Sequence, residues 1–456
     1  MLHIVRYFCV LIALVLSTSV ITAQQKIWRD YHKVKKKETL YSISREYGIT
    51  VEELMKANPE MTEAGYKLKK GSVIFIPYPS SAATRTTAKE LKTTVTRTAA
   101  KTDVRQRAIR LGVMLPLHDK NGDGRRMVEY YRGVLMACDS LKRQGISVDV
   151  YAWNLEEDGN AKQVLDDPNA AMCDVIIGPL YSKFVAELSA FSEKYGIMMV
   201  IPFSINAPEL YTNRHLFQVY QHPTELMEST ARRCSEWFKD YHPIIVDCAD
   251  AGSTKGPFTA TLRRHLDSHG TKYSLTSMGA TDESFSRLFD ATKQNLVVLN
   301  TARSTDMNAL FGKLSHVSAT MPETQISVFG YTEWLTQASR QLDNFFRYNV
   351  YVPSYFYTNL SSAATDRLQQ IYRKEFRQEM MQMLPRFALT GFDHAYFFLR
   401  GLNKYGETFD GAAGRFGYPA VQTPLKFERI GNGGLQNRAF MFVHYRPDHQ
   451  IETLNY

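Results

Sequence analysis

From Ile109 onward the chain alternates short apolar runs with longer amphipathic ones, and this pattern leaves few folds open. Residues 109–115 (IRLGVML) read as a strand. Residues 127–141 read as a helix with Val134, Leu135 and Cys138 on one face. Residues 148–153 alternate at period two, 174–177 are continuously apolar after Asp174, and 197–201 follow a helix at 184–194. The series continues with a helix at 224–238, a strand at 244–248, a helix at 258–268 and strands at 296–299 and 326–329. Strands separated by helices predict βαβ units and parallel sheets. Single cores stop growing beyond about 250–300 residues, so roughly 350 residues of this pattern predict two lobes.

Two segments make the reading more specific. Residues 174–182 are DVIIGPLYS: a strand, Gly178-Pro179, then Ser182 at a helix start. Residues 200–210, VIPFSINAPEL, follow one helix later. With the opening strand and the long helix at 126–142, they resemble the type I periplasmic binding-protein fold of the leucine/isoleucine/valine-binding class, over about residues 108–410. The resemblance implies two α/β lobes, with parallel sheets flanked by helices, joined by crossing strands around a ligand cleft that closes by hinge motion.

Ligands of open α/β sheets lie beyond the carboxyl ends of the strands. Ser182 would stand at a helix N-terminus, where free N–H groups and the helix dipole favour a carboxylate. Ser204 and Asn206 occupy the next strand-to-helix turn, and Tyr181 precedes Ser182. These four are the expected cleft residues; helix capping by Ser182 and Ser204 is the competing reading. Amino-acid binders of this class place hydroxyls and alanines at this turn, whereas Phe203 and Ile205 flank Ser204 here. Tyr331, Glu333, Trp334 and Asp393 are further candidates from later loops. The same fold occurs in glycan-synthase-activating outer-membrane lipoproteins, where it contacts a penicillin-binding protein. The resemblance therefore implies a small ligand, a muropeptide or a wall-synthesis protein as occupant.

Ahead of this region, residues 31–77 form a unit of their own. A strand at 32–34 precedes a helix capped by Thr39, with Leu40, Ile43 and Tyr47 on its inner face and Gly48 as its stop. Thr50 and Glu53 have the spacing of a capping box for a second helix, which Asn58-Pro59 breaks. Residues 73–76 are a second strand, closed by Pro77. The residues around Thr39-Leu40, Tyr47-Gly48-Ile49-Thr50, Leu54, Asn58-Pro59, Gly71 and Ile74 to Pro77 resemble a LysM domain, a small βααβ module. The resemblance implies binding of N-acetylglucosamine-containing glycans such as peptidoglycan. Lys37 replaces the usual glycine before the acidic residue. The expected glycan site is Lys37, Glu38, Thr39, Leu40 and Tyr41 with Asn58 and Pro59, on two loops.

The expected organisation is a cleaved signal peptide at 1–23, the LysM unit at 31–78, a linker at 80–107 and the two-lobed domain at 108–456. The leader's apolar core is shorter than the roughly 20 residues that span a bilayer, and small residues precede Ala23. Residues 80–107 hold no aromatic residue and carry seven basic residues against two acidic ones, the composition of a solvated tether. Export makes cysteine use relevant. Cys138, Cys173, Cys234 and Cys248 remain after cleavage; bridged pairs and buried free thiols both fit their positions. No zinc spacing, phosphate loop or nucleophile elbow occurs, so no cofactor, metal or catalytic residue is expected. Asp119 to Gly124 begins like a calcium loop, but position twelve is Tyr130, and a polar turn is the better reading. The net charge of +9 sits on no nucleic-acid motif, and no nucleic-acid partner is expected. The chain reads as a periplasmic, wall-associated, non-enzymatic peptidoglycan-binding protein whose two-lobed domain takes a ligand or protein partner. The alternative is an amino-acid-type receptor of an ABC importer.

Overall fold

The computed structural model describes residues 30–36, 38–58, 61, 66, 68–77, 103–360, 362–412 and 419–455. The expected leader, Lys37, Pro59 and residues 80–102 of the expected linker lie outside the described residues.

In the N-terminal module, β1 (Asp30–Lys33) is followed by α1 (Leu40–Tyr47), α2 (Val51–Ala57) and β2 (Val73–Ile76), which pairs antiparallel with β1. The expected order holds, with the first strand starting at Asp30 and not at His32. Thr39 caps α1, Gly48 ends it in the left-handed region at φ 66°, and Thr50 with Glu53 forms the capping box of α2. Val34, Ile43, Leu54, Ile74 and Ile76 make a small core.

The first lobe begins before β3. Val104 is buried, and Arg107 holds Asp174 through two hydrogen bonds of 2.7 Å. Residues 103–107, expected in the linker, thus belong to the lobe. There follow β3 (Ile109–Leu115), α3 (Gly122–Lys142), β4 (Val148–Asn154), β5 (Val175–Ile177), α4 (Val185–Tyr195), β6 (Met198–Ile201) and β7 (Leu216–Gln218). The chain crosses to the second lobe for α5 (Pro223–Trp237), β8 (His242–Asp247), α6 (Gly256–Ser268), β9 (Ser274–Ser277), β10 (Asn295–Leu299), α7 (Ser304–Thr320), β11 (Ile326–Phe329) and β12 (Val350–Ser354). It returns for α8 (Ala363–Phe376), α9 (Phe387–Tyr405), β13 (Phe427–Arg429) and β14 (Leu435–Asn437), then crosses again to β15 (Met441–Tyr445) and β16 (Ile451–Asn455).

The two sheets have the orders β13-β14-β7-β6-β5-β3-β4 and β16-β15-β12-β11-β10-β8-β9. Pairing is parallel except at β13–β14, β12–β15 and β15–β16. The glycine turn at 431–434 joins β13 to the short β14. The strand at 441–445 belongs to the other lobe, where its run of apolar residues is buried on both faces. The aromatic run at 348–358 is a core strand that leads into a crossing segment. The chain leaves β7, β12 and β14 for the other lobe at their carboxyl ends. The carboxyl edges of both sheets therefore flank the three crossings.

The turn at 119–124 is a helix entry, with Asn121 accepting from the Gly124 N–H at 2.9 Å. From there α3 runs through the first lobe against α9. Glycines let the two backbones touch: a Cβ on Gly133 would lie 1.8 Å from the Ala388 carbonyl oxygen, and one on Gly391 2.0 Å from that of Tyr130. On α9, His394 is fully buried, and its Nδ1 lies 2.8 Å from the Tyr130 hydroxyl. Burial pushes this imidazole down to about 3. An unfolded histidine takes its proton near 6.5. The stability this group leaves intact above that value is therefore lost as pH falls towards the folded value, by about 1.4 kcal/mol per pH unit. His394→Gln should flatten the decline of the urea midpoint between about pH 6.5 and 4.

All four cysteines at 138, 173, 234 and 248 are free. Burial raises the thiols of Cys138 and Cys248 to about 12. Among the described residues, no helix is long and apolar enough to cross a membrane.

The N-terminal module is seated on the first lobe. Tyr31 and Phe75, cross-strand neighbours on the outer face of β1–β2, pack against the lobe's core. Arg132 of α3 donates to Asp30 from Nη2 at 2.9 Å and to the Tyr372 hydroxyl from Nη1 at 3.0 Å. The side chains of Arg132 and Asp30 are only 7% and 2% exposed. Tyr372 in turn donates to Glu129. Burial alone would lower the Arg132 guanidinium, but Asp30 and Tyr372 hold it above its ordinary value. Breaking one member of such a buried pair strands a charge, so the pair constrains how the module sits.

Candidate functional site

Two regions carry candidate chemistry: the loops of the N-terminal module, and the carboxyl edges where the lobes face each other.

In the module, Glu38 accepts from the Lys35 N–H at 2.6 Å and lies 2.8 Å from His32 Nε2. Burial works to raise its carboxyl, yet these hydrogen bonds hold it below the usual value. Thr39 is occupied as a helix cap, and Leu40 is half-buried against the small core. Tyr41 is different: 64% of it is exposed, on the first turn of α1. An exposed aromatic ring beside a loop is a ready stacking platform for a sugar face.

Asn58 departs from expectation. It is fully buried, donating to the Leu54 and Phe75 carbonyls at 2.8 and 2.7 Å and accepting from the Phe75 N–H at 2.7 Å. Its amide closes α2 and fastens it to β2, so the side chain is not presented to a ligand. Lys37 and Pro59 fall outside the described residues.

In the first lobe, the Ser182 and Ser204 hydroxyls meet at 2.8 Å. Gly178-Pro179 is a cis peptide bond that turns the chain out of β5 towards Ser182. Ser204 is buried and accepts from the Asn206 N–H at 3.3 Å, while Asn206 itself is exposed. Tyr181 donates to Asp123 at 3.3 Å; burial first, and Asp123 second, raise its hydroxyl to about 12. The four expected cleft residues therefore cluster at the carboxyl edge of the first sheet. Behind them Phe203 packs against Tyr130, Tyr220 and Phe387, filling the space beneath Ser204 with rings.

A cavity of about 590 Å³ opens on the opposite side, in the second lobe beside the crossings. Phe258, Phe329, Tyr331 and Phe440 give it an apolar wall. Thr224, Ser253, Ser354 and Lys255 add polar groups. The Lys255 ammonium sits 2.7 Å from Glu333 and 5.1 Å from the centre of the Tyr331 ring. Ser182, Ser204, Asn206 and Tyr181 do not line this cavity. Of the later-loop candidates, Tyr331 does. Trp334 is buried and donates to the Ala302 carbonyl at 3.1 Å, and Asp393 is wholly enclosed. Sequence reasoning missed Lys255 because the loop after β8 carries no motif. Its position at a carboxyl edge, ahead of α6, was the available signal.

Residues 32–77 match the model of the LysM domain. The chain carries a LysM domain there. No curated protein matches the chain in sequence. Among solved structures it is similar to a branched-chain amino acid ABC transporter protein from Rhodospirillum rubrum, with a TM-score of 0.50 and 14% identity over 76% of this chain and 100% of that one. LpoA of Haemophilus influenzae aligns with a TM-score of 0.48 and 15% identity, covering 77% of this chain and 59% of that one. Beside its LysM domain the chain thus has the two-lobed periplasmic-binding-protein fold: two mostly parallel sheets flanked by helices.

Proposed function

We propose that this is a cell-envelope protein that acts by binding and not by catalysis. Its LysM domain holds an N-acetylglucosamine-containing glycan of the wall, and its two-lobed domain takes a ligand or protein partner at the cleft. The periplasm is the compartment that fits a LysM domain joined to a binding-protein fold. The LysM match carries the reading, and the exposed Tyr41 ring beside the β1–α1 loop supports it.

Pelleting with purified sacculi tests it. Full-length protein should sediment with sacculi, and a variant lacking residues 24–79 should stay in the supernatant. Tyr41→Ala should weaken binding about tenfold, roughly the value of one stacking contact, while leaving the fold unchanged. Asn58→Ala should instead unfold the module, since three buried backbone groups lose their partner at about 1–3 kcal/mol each. Equal pelleting of the full chain and the deletion variant would remove the glycan reading.

The volume of the second-lobe cavity, within the roughly 300–1,000 Å³ of ligand sites, favours a small-ligand receptor as a second reading. A thermal-shift screen with amino acids and muropeptides addresses it, because a ligand in excess of its dissociation constant raises stability.

A further inference from the structure

The seat of the LysM domain fixes how β1 lies on the first lobe. Asp30, at the start of β1, is held by Arg132 in the middle of α3. Lys33, at the end of β1, reaches Asp119 in the turn before α3 at 3.2 Å. The strand therefore runs back along α3 towards the carboxyl end of β3. The β1–α1 loop and Tyr41 come off the strand at that end. The Asp119 turn continues into Asp123, which receives the Tyr181 hydroxyl beside the Ser182–Ser204 pair. The carboxyl end of β1 and the Ser182–Ser204 side of the cleft mouth thus stand on one rim of the first lobe.

We infer that the two sites act on one molecule: a glycan strand held by the LysM domain delivers its own peptide stem to the cleft. This rests on the glycan reading proposed above. A peptide stem suits the cleft chemically. The rings around the cavity cover apolar side chains, the exposed Thr224 hydroxyl meets an amide, and Lys255, held by Glu333 at 2.7 Å, exchanges that partner for a terminal carboxylate. Neither element needs high affinity alone. Two linked contacts at a fixed offset raise overall affinity by about 10²–10⁴ when the geometry allows both, and by nothing when it does not. The seat on α3 sets that offset. Tyr31, Phe75 and Asp30 belong to the seat: the Phe75 ring packs on the lobe, while its backbone holds Asn58.

Calorimetric titration of the full-length protein tests this with three probes: an unsubstituted N-acetylglucosamine oligomer, a glycan oligomer of matched length bearing peptide stems, and the free stem peptide. The stem-bearing glycan should bind at least tenfold more tightly than either other probe. Phe75→Glu places a charge in the seat and leaves the module's own core untouched. It should keep the affinity for the unsubstituted oligomer and lose the tenfold advantage. Lys255→Met, remote from the seat, should lose the advantage while the module stays docked. Hydrogen exchange at α1 and α2 verifies that the module remains folded in both variants. Equal affinity for the two glycans in the wild type, or an advantage that survives both substitutions, would overturn the inference. No binding of either glycan would instead defeat the glycan reading, and this inference with it.

Discussion

Gly133→Ala should destabilise the first lobe by at least about 3 kcal/mol, although it adds a single methyl group in the middle of a helix. Alanine normally improves a helix interior by about 0.5–1 kcal/mol over glycine, so the expected sign is the reverse of the intrinsic preference. The reason is the crossing of α3 with α9. The new Cβ would lie 1.8 Å from a backbone oxygen of Ala388, and the nearest contacts are backbone atoms with no side chain to swing aside. The helices must part, and both are buried through most of their length. Gly312→Ala is the matched control. It lies in α7, nothing comes within 4 Å of its added Cβ, and it should stabilise slightly. Urea unfolding followed by tryptophan fluorescence distinguishes the two variants. The second lobe has its own core around Phe238, Phe329 and Phe345. Gly133→Ala should therefore separate an early first-lobe transition from a later one. A loss below about 1 kcal/mol would mean that the helices accommodate the methyl group by sliding.

Why such a contact escapes a sequence reading is clear from its neighbours. The strand–helix alternation from Ile109 was legible because burial on both faces of a parallel sheet leaves continuous apolar runs, as in IRLGVML. The caps at Thr39 and Thr50 and the stop at Gly48 were legible because each depends on residues within four positions. Gly133 and Gly391 are 258 positions apart, and each alone reads only as a weak spot in a helix. Asn58 failed for a similar reason. Its place before a proline at a loop suggested a ligand contact, but Phe75, which engages its amide, is a partner only in three dimensions. Residues 103–107 carried the composition of a tether until Asp174 was brought beside Arg107. At the cleft, Ser182 and Ser204 were found from the turn that follows each strand. Lys255 was not, because the second lobe's loops have no comparable run. Local chemistry was readable, and long-range pairing was not.

Asp393→Ala should cost about 3–5 kcal/mol and loosen the angle between the lobes. Asp393 was a candidate ligand residue from a later loop, but it lies on α9 and is fully buried. Its carboxylate accepts the N–H groups of Val421, Gln422 and Thr423 at 2.9, 2.8 and 2.8 Å. Three amides converging on one buried carboxylate resemble an anion site in which the protein supplies its own anion. Removing it leaves three donors without that acceptor, two of them buried and Val421 partly so, at about 1–3 kcal/mol for each buried one before relaxation. Asp393→Asn should cost less than alanine but still a measurable amount, because an amide keeps one acceptor and turns a donor towards a donor. The effect reaches the lobe crossing through Gln422. Its side chain donates to the Arg386 carbonyl and to Thr390, and its carbonyl accepts the Tyr357 N–H at 2.9 Å, on the segment that returns from the second lobe. One carboxylate thus pins a loop that pins a crossing. Urea midpoints should rank wild type above asparagine above alanine. Small-angle scattering at a temperature where alanine is still folded should show a larger radius of gyration than in the wild type. If the radius is unchanged while stability falls, the 421–423 loop belongs to the first lobe alone, and the crossings are set by the packing of Tyr220 against Tyr355.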